Sequence, residues 1–88
     1  MRPLNIIAED ILRHKISAYA LPYVKAMLSL SDCSQTYYAD SGHSIVLYAL
    51  NNLRSMRGAW ALALKNELRE HVGLPPRKGK RHLAPDTL

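Results

Sequence analysis

Residues 41–72, SGHSIVLYALNNLRSMRGAWALALKNELREHV, decide the fold of this chain. Apolar residues recur in this stretch at the spacing that places side chains on one face of a helix. A polar break between Asn51 and Ser55 interrupts the pattern, so we predict two helices, over 41–53 and 56–72. A single continuous helix over 40–72 is the competing interpretation. Both interpretations make this half of the chain helical.

Residues at the ends of these two helices favour the break. Asp40 or Ser41 precedes the first helix, and both residue types accept hydrogen bonds from the free amides of a helix start. Ser55 stands in the same position before the second helix, and Gly73 follows it as a glycine that ends helices. Gly58 then falls in the first turn of the second helix, where it costs about 1 kcal/mol relative to alanine. We therefore expect another helix to cross closely at Gly58.

The first half of the chain predicts two shorter amphipathic helices, over 4–15 and 21–30. Pro22 separates them, because proline disfavours helix at the residue before it. Residues 29–39 predict a polar loop, since their Ser, Thr and Asp side chains compete for backbone hydrogen bonds. The predicted fold class is thus an all-α bundle of about four short helices over residues 1–72.

A basic tail, residues 73–88, follows the predicted helical domain. The chain has 12 Lys and Arg against 7 Asp and Glu, for a net charge of +5, and the tail contributes 4 − 1 = +3 of it. Prolines and glycines in the tail cannot sustain a helix, and too few apolar residues remain to offset the entropy of ordering. We expect a disordered tail that favours a polyanionic or acidic partner.

Cysteine and histidine usage predicts neither a disulfide framework nor a metal site. Cys33 is the lone cysteine, which indicates a reducing compartment. The histidines are too widely spaced to pair at helical positions, and no glycine-rich phosphate loop occurs. No apolar run approaches the roughly 20 residues of a membrane span. We therefore expect no cofactor, no membrane association and a cytoplasmic location.

The segment Asp40-Ser41-Gly42-His43-Ser44 contains the residue types of a hydrolase triad. A triad needs its acid, base and nucleophile in a chain of hydrogen bonds, usually from separated segments. Five adjacent residues at a helix start do not easily provide that geometry, whereas helix capping explains Asp40 and the serines. We predict a protein without catalytic residues.

Basic residues form the first candidate binding set, for nucleic acid or an acidic partner. On the second predicted helix, Lys65 and Arg69 share a face with Arg54 and no acid. The two helices and their break also resemble a helix-turn-helix, although that face lacks Asn or Gln placed for reading bases. An ordinary solvated helix face is the alternative. The set comprises Arg54, Arg57, Lys65, Arg69, Arg77, Lys78, Lys80 and Arg81.

Aromatic and apolar residues form a second candidate set, for a protein interface. Leucines in the two predicted helices point in several directions, more than a thin bundle covers, so we expect a homodimer through this pair. Tyr37 and Tyr38 are adjacent aromatics that anchor an interface or stack on bases, or else divide between core and surface. The set comprises Tyr37, Tyr38, Leu47, Leu50, Trp60 and Leu62.

About a third of the chain resembles small uncharacterised helical proteins of prophages and plasmids. The resemblance lies in Asp40-Ser-Gly-His-Ser-Ile-Val46, in Arg57-Gly58 and in Lys65-Asn-Glu-Leu68. It implies a mobile-element origin and assigns no residue a role. Small accessory proteins of that kind regulate transcription or block a host defence complex, and both tasks are binding.

The sequence therefore predicts a non-catalytic interaction protein that binds and modulates a host protein or protein complex, as an adaptor or inhibitor. The alternative is a small basic regulator that binds nucleic acid, mainly through the tail and the Arg54, Lys65 and Arg69 face.

Overall fold

A computed structural model describes residues 1–78, which form a mainly helical fold with one small hairpin. The sequence correctly predicts the four helices and misses the hairpin, so the all-α class holds only in part. The remainder of the basic tail, residues 79–88, lies outside the described residues. In chain order the elements are α1 (Leu4–Leu12), α2 (Leu21–Met27), β1 (Thr36–Tyr37), β2 (Asp40–Ser41), α3 (Gly42–Asn52) and α4 (Ala59–His71).

The core lies where the four helices meet. The helix α3 packs against both α2 and α4, and α1 packs against α2 and α4. Each helix contributes aliphatic side chains from one face, which is the burial that stabilises an amphipathic helix. The largest fully buried side chains are Leu4, Ile7, Ile11, Val24, Met27, Ile45, Val46, Leu53 and Leu68.

Both N-terminal helices are shorter than predicted. The helix α1 ends at Leu12 and not at residue 15, because the amides that follow turn back to carbonyls three residues earlier. The helix α2 ends at Met27 and not at residue 30 in the same manner. The chain then delivers the carbonyls of Leu30 and Ser31 to the amides of Asn5 and Leu4, each at 2.9 Å. The backbone of one segment thereby caps the start of α1.

The predicted loop 29–39 contains the strand β1, which pairs antiparallel with β2. Gly42 fixes this hairpin against the preceding turn, and its amide donates to the carbonyl of Gln35 at 2.7 Å. A Cβ at Gly42 would lie 2.9 Å from that oxygen and 3.0 Å from the Cα of Cys33. Only glycine permits such a close backbone approach. Sequence reasoning missed the hairpin because its two-residue strands are too short to show alternation.

The predicted break between α3 and α4 is confirmed, but its details differ. Ser41 caps α3, accepting a hydrogen bond from the amide of Ser44 at 3.1 Å. The helix α4 begins at Ala59 and not at residue 56, so Ser55 is not its cap. Gly58 precedes α4 with φ of 101°, a conformation that favours glycine. A Cβ there would approach Trp60 at 3.2 Å, so the close neighbour is Trp60 and not another helix.

The helix α4 ends as predicted at Gly73, which has φ of 75°. The amide of Leu74 donates to the carbonyl of Arg69 at 2.9 Å, and that of Gly73 donates to Glu70 at 3.2 Å. This pair of bonds is the Schellman arrangement, and it reverses the chain direction. Residues 74–77, which we call the strap, are therefore directed back along α4.

Candidate functional site

A groove lies between α3, α4 and the strap. Its volume is about 280 Å³. Small-molecule sites commonly measure roughly 300–1,000 Å³, so this groove suits a few side chains better than a large cofactor. The residues that line it are Leu47, Leu50, Asn51, Arg54, Leu62, Lys65, Asn66, Arg69, Leu74 and Arg77.

The groove brings the two predicted binding sets together. Leu47, Leu50 and Leu62 come from the apolar set, and Arg54, Lys65, Arg69 and Arg77 from the basic set. They meet because α3 and α4 pack side by side after the turn at residues 53–58. Within residues 1–78 no acidic residue lines the groove, and the segment 41–66 that forms most of it contains none. The site is thus apolar at its centre and cationic around it.

Two of the four cations in the groove hold the structure together. The Nζ of Lys65 donates to the carbonyl of Met56 at 2.8 Å and, more weakly, to that of Leu53 at 3.4 Å. Burial, with the charges of Arg57 and Arg77, lowers the pKa of Lys65. The Nε of Arg69 donates to the carbonyl of Pro75 at 2.6 Å. Lys65 therefore holds the turn between α3 and α4 against α4, and Arg69 holds the strap against the same helix.

The other two cations, Arg54 and Arg77, make no side-chain hydrogen bond or ion pair with any residue of the range 1–78. Both are exposed and border the groove. The side-chain amide of Asn51 is equally unpartnered within that range. These three polar groups remain available to a ligand, whereas Lys65 serves the fold and Arg69 uses its Nε for the strap and keeps its terminal N–H groups open.

Asn66 fixes the wall formed by the strap. Its Nδ2 donates to the carbonyl of Arg77 at 3.0 Å, and its Oδ1 accepts from the amide of the same residue at 2.9 Å. This reciprocal pair satisfies both backbone groups of one residue, as a neighbouring strand would. The described beginning of the predicted tail is therefore held against the body, and the prediction of a disordered tail from residue 73 is wrong for residues 73–78.

The remaining candidate residues lie outside the groove. The ring of Trp60 stacks on His14, with ring centres 3.7 Å apart, and keeps 39% of its surface exposed. Tyr37 is half-buried against the core and Tyr38 is 89% exposed, which matches the division between core and surface. Arg57 and Lys78 are exposed and do not line the groove, while Lys80 and Arg81 lie outside the described residues.

Arg2 is a residue whose role sequence reasoning missed. Its guanidinium donates to both carboxylate oxygens of Glu67 at 2.7 Å and to Asp10 at 2.8 Å. These hydrogen bonds raise the pKa of Arg2. Asn51, Asn66 and Leu74 were also missed as groove residues. Arg2 and Glu67 are 65 residues apart in the sequence, so no local sequence pattern could predict this pair.

The cluster from Asp40 to Ser44 has a capping geometry. The hydroxyl of Ser41 accepts a hydrogen bond from the amide of Ser44 and donates one to the hydroxyl of Ser44 at 3.0 Å. The side chain of His43 makes no hydrogen bond with either serine. Within residues 1–78, no group of three or more His, Cys, Asp and Glu converges on a possible metal position. In the same range, each helix is too short or too polar to span a bilayer.

Comparison with models of protein families, with curated proteins and with solved structures finds no match to this chain. The function of this chain must therefore be inferred from the geometry and charge of the groove.

Proposed function

We propose that the protein is a non-catalytic interaction protein, an adaptor or inhibitor, whose groove binds an acidic and apolar segment of a partner protein. The observation that supports this most directly is the combination of a leucine-lined centre with the unpartnered guanidinium groups of Arg54 and Arg77. Leucine side chains favour apolar contact, and guanidinium groups bind carboxylates in paired hydrogen bonds.

A peptide that alternates Asp or Glu with Leu, Ile or Phe satisfies both halves of this surface. Its apolar side chains would cover Leu47, Leu50 and Leu62, and its carboxylates would reach Arg54 and Arg77. Asn51 would hydrogen-bond the peptide backbone. Because Lys65, Asn66 and Arg69 are already fixed within the fold, the groove walls need little reordering, which lowers the entropic cost of binding.

Nucleic-acid binding is the second candidate, favoured by four exposed cations on or beside the groove: Arg54, Arg57, Arg77 and Lys78. Two observations weigh against it as the main task. Phosphates gain nothing from the leucines in the groove. In a helix-turn-helix, the start of the second helix reads base edges, yet α4 exposes Ala59, Trp60 and Ala63 there.

The test is a selection of random displayed peptides on the wild-type protein at physiological salt. We expect enriched peptides to combine acidic and apolar residues, and to bind the Arg54→Glu/Arg77→Glu variant about a hundredfold more weakly. The matched control is Lys15→Glu/Lys25→Glu, which alters the net charge equally at two exposed cations elsewhere. This control should bind the peptides as the wild type does.

A duplex oligonucleotide, tested in parallel, separates the two candidates. Weak binding that vanishes with added salt and responds equally to both double variants is expected from net charge alone. Peptides that bind the groove variant undiminished would overturn the proposed function. Salt-resistant, sequence-selective DNA binding that depends on Arg54 and Arg77 would establish the regulator instead. The predicted mobile-element origin and host partner stay predictions.

A further inference from the structure

The hairpin carries an exposed aromatic tip that the proposed function does not use. Tyr38, at the turn between β1 and β2, is 89% exposed and has φ of 55°. A non-glycine residue rarely adopts this left-handed conformation, and it leaves the Tyr38 ring exposed to solvent beyond its one aromatic neighbour. The ring of Tyr37 meets that of Tyr38 edge to face, with centres 4.7 Å apart. Tyr37 thus supports Tyr38 from the core side.

The turn that leads into the hairpin, residues 31–35, is held by side-chain hydrogen bonds. Asp32 accepts hydrogen bonds from the amide and the hydroxyl of Ser34, and these bonds lower the pKa of Asp32. The side chain of Gln35 accepts from the amide of Ser31, and Gly42 packs closely against the backbone of residues 32–35 at the base of the hairpin. A preorganised aromatic side chain is the usual anchor of a protein interface, because little entropy is lost when it docks.

Charge distinguishes the tip from the groove. The segment 26–53, which contains the hairpin, has no Lys or Arg and has two acids, Asp32 and Asp40. Asp40 lies beside the tip, is exposed, and its carboxylate makes no ion pair among the described residues. The tip therefore combines an aromatic ring with a free carboxylate, which is the chemistry that the groove accepts.

We propose that the tip of one copy of this chain docks in the groove of a second copy, with Tyr38 on the leucines and Asp40 at Arg54 and Arg77. A chain cannot do this to itself. Asp40 precedes α3 and Arg54 follows it, and the 11 residues of α3 rise about 1.5 Å each, so the helix holds Asp40 about 16 Å or more from Arg54 of its own chain. The inference rests on the proposed function, because it uses the same groove.

The contact is heterologous, since it joins different surfaces of the two copies. It generates open chains or closed assemblies, and a closed pair in which each tip occupies the other copy's groove would be the homodimer that the sequence predicted. One tip buries a small area, so association is weak and depends on concentration. A partner peptide in the groove would compete with it. Where the chain is concentrated enough to associate, a partner must displace the tip before it can occupy the groove.

Sedimentation velocity of the full chain between about 20 µM and 1 mM tests the proposal. Wild type should form oligomers. Tyr38→Gly removes the ring and relieves the left-handed backbone, so it should lose association about tenfold without losing stability. Arg54→Glu should lose association similarly. A mixture of the two variants keeps one intact tip and one intact groove, and should recover a heterodimer that stops at two chains.

A wild type that stays monomeric throughout, or a mixture that does not recover, overturns this inference. The unfolding midpoint of each variant checks that it is folded, and Lys15→Glu serves as the charge control. The selected acidic peptide should dissociate the wild-type oligomers. Peptide binding by a strictly monomeric wild type would refute only the self-association, whereas peptides that ignore Arg54→Glu/Arg77→Glu would refute the proposed function.

Discussion

The helix α4 has two polar faces with opposite arrangements of charge. On the face toward α1, Glu67 pairs with Arg2 at 2.7 Å, and the Nε2 of His71 donates to the carbonyl of Arg2 at 2.7 Å. On the face toward α3, Lys65 and Arg69 donate to carbonyls, and no acid among residues 1–78 neutralises them or the nearby Arg54 and Arg77. The first face is balanced, and the second keeps an excess of positive charge.

This difference indicates where an interaction site lies. Opposite charges that already satisfy each other have little left to offer a ligand, and an exposed pair adds little stability. Unpartnered cations beside apolar side chains gain both hydrogen bonds and apolar contact when an acidic, apolar segment arrives. We therefore expect changes on the face toward α1 to alter stability alone, and changes on the face toward α3 to alter binding.

The largest effect should come from Leu68→Ala, because Leu68 is fully buried between the two faces. Loss of a buried leucine costs about 2–5 kcal/mol through lost apolar contact and the cavity left behind. Urea unfolding followed by circular dichroism measures it. Leu28→Ala is the control at a leucine with 41% exposure, and it should change the free energy of unfolding by less than about 0.5 kcal/mol. Similar losses in both variants would contradict the assigned core.

Leu47→Asp should have the next largest effect, and on binding alone. Leu47 lines the groove with 38% of its surface exposed, so the carboxylate remains solvated but repels an acidic peptide. Affinity for a selected peptide should fall about tenfold, as calorimetry measures it. Leu28→Asp places the same charge at similar exposure outside the groove and should bind normally. Equal losses in both variants would count against the groove.

Lys65→Met should lower the free energy of unfolding by about 1 kcal/mol at neutral pH, since the carbonyl of Met56 loses its donor. A second effect depends on pH. Burial lowers the pKa of Lys65 in the folded protein, so as pH rises toward the ordinary value of 10.5 the unfolded chain holds the proton more firmly. The stability of wild type relative to Lys65→Met should therefore rise with pH in that range. A difference that is flat or falls with pH would contradict the partly buried position of Lys65.

Arg2→Met should have the smallest effect, a slight fall in thermal midpoint with peptide binding unchanged. The exposed pairs of Arg2 with Glu67 and Asp10 are screened by water, so their loss costs little. Differential scanning calorimetry at low and high salt checks this, and the difference from wild type should shrink with salt. Weaker peptide binding by Arg2→Met would remove the distinction between the two faces.

The sequence predicted a structural feature correctly where the residues that determine that feature are close together in the chain. The helical periodicity, the cap at Ser41, the break after α3 and the end at Gly73 all depend on neighbours within a few residues. The predicted start of α4 at residue 56 was wrong. Ser55 is a residue type that caps helices, but the turn continues to Gly58, whose φ is 101°, and α4 begins after it. The hairpin was missed because Gly42 secures it by contacts with residues 32–35 and not by a strand pattern.

The sequence by itself determined which residue types form the site: cations and leucines on two adjacent helices, in a stretch without acids. Tertiary structure decided which of those cations are free. Lys65 and Arg69 shared a face with Arg54 in the sequence, yet the turn at 53–56 and the strap supply carbonyls to the first two alone. Periodicity reports the direction in which a side chain leaves its own helix. The carbonyl that accepts its hydrogen bond belongs to another segment of the chain, and only folding brings the two groups together.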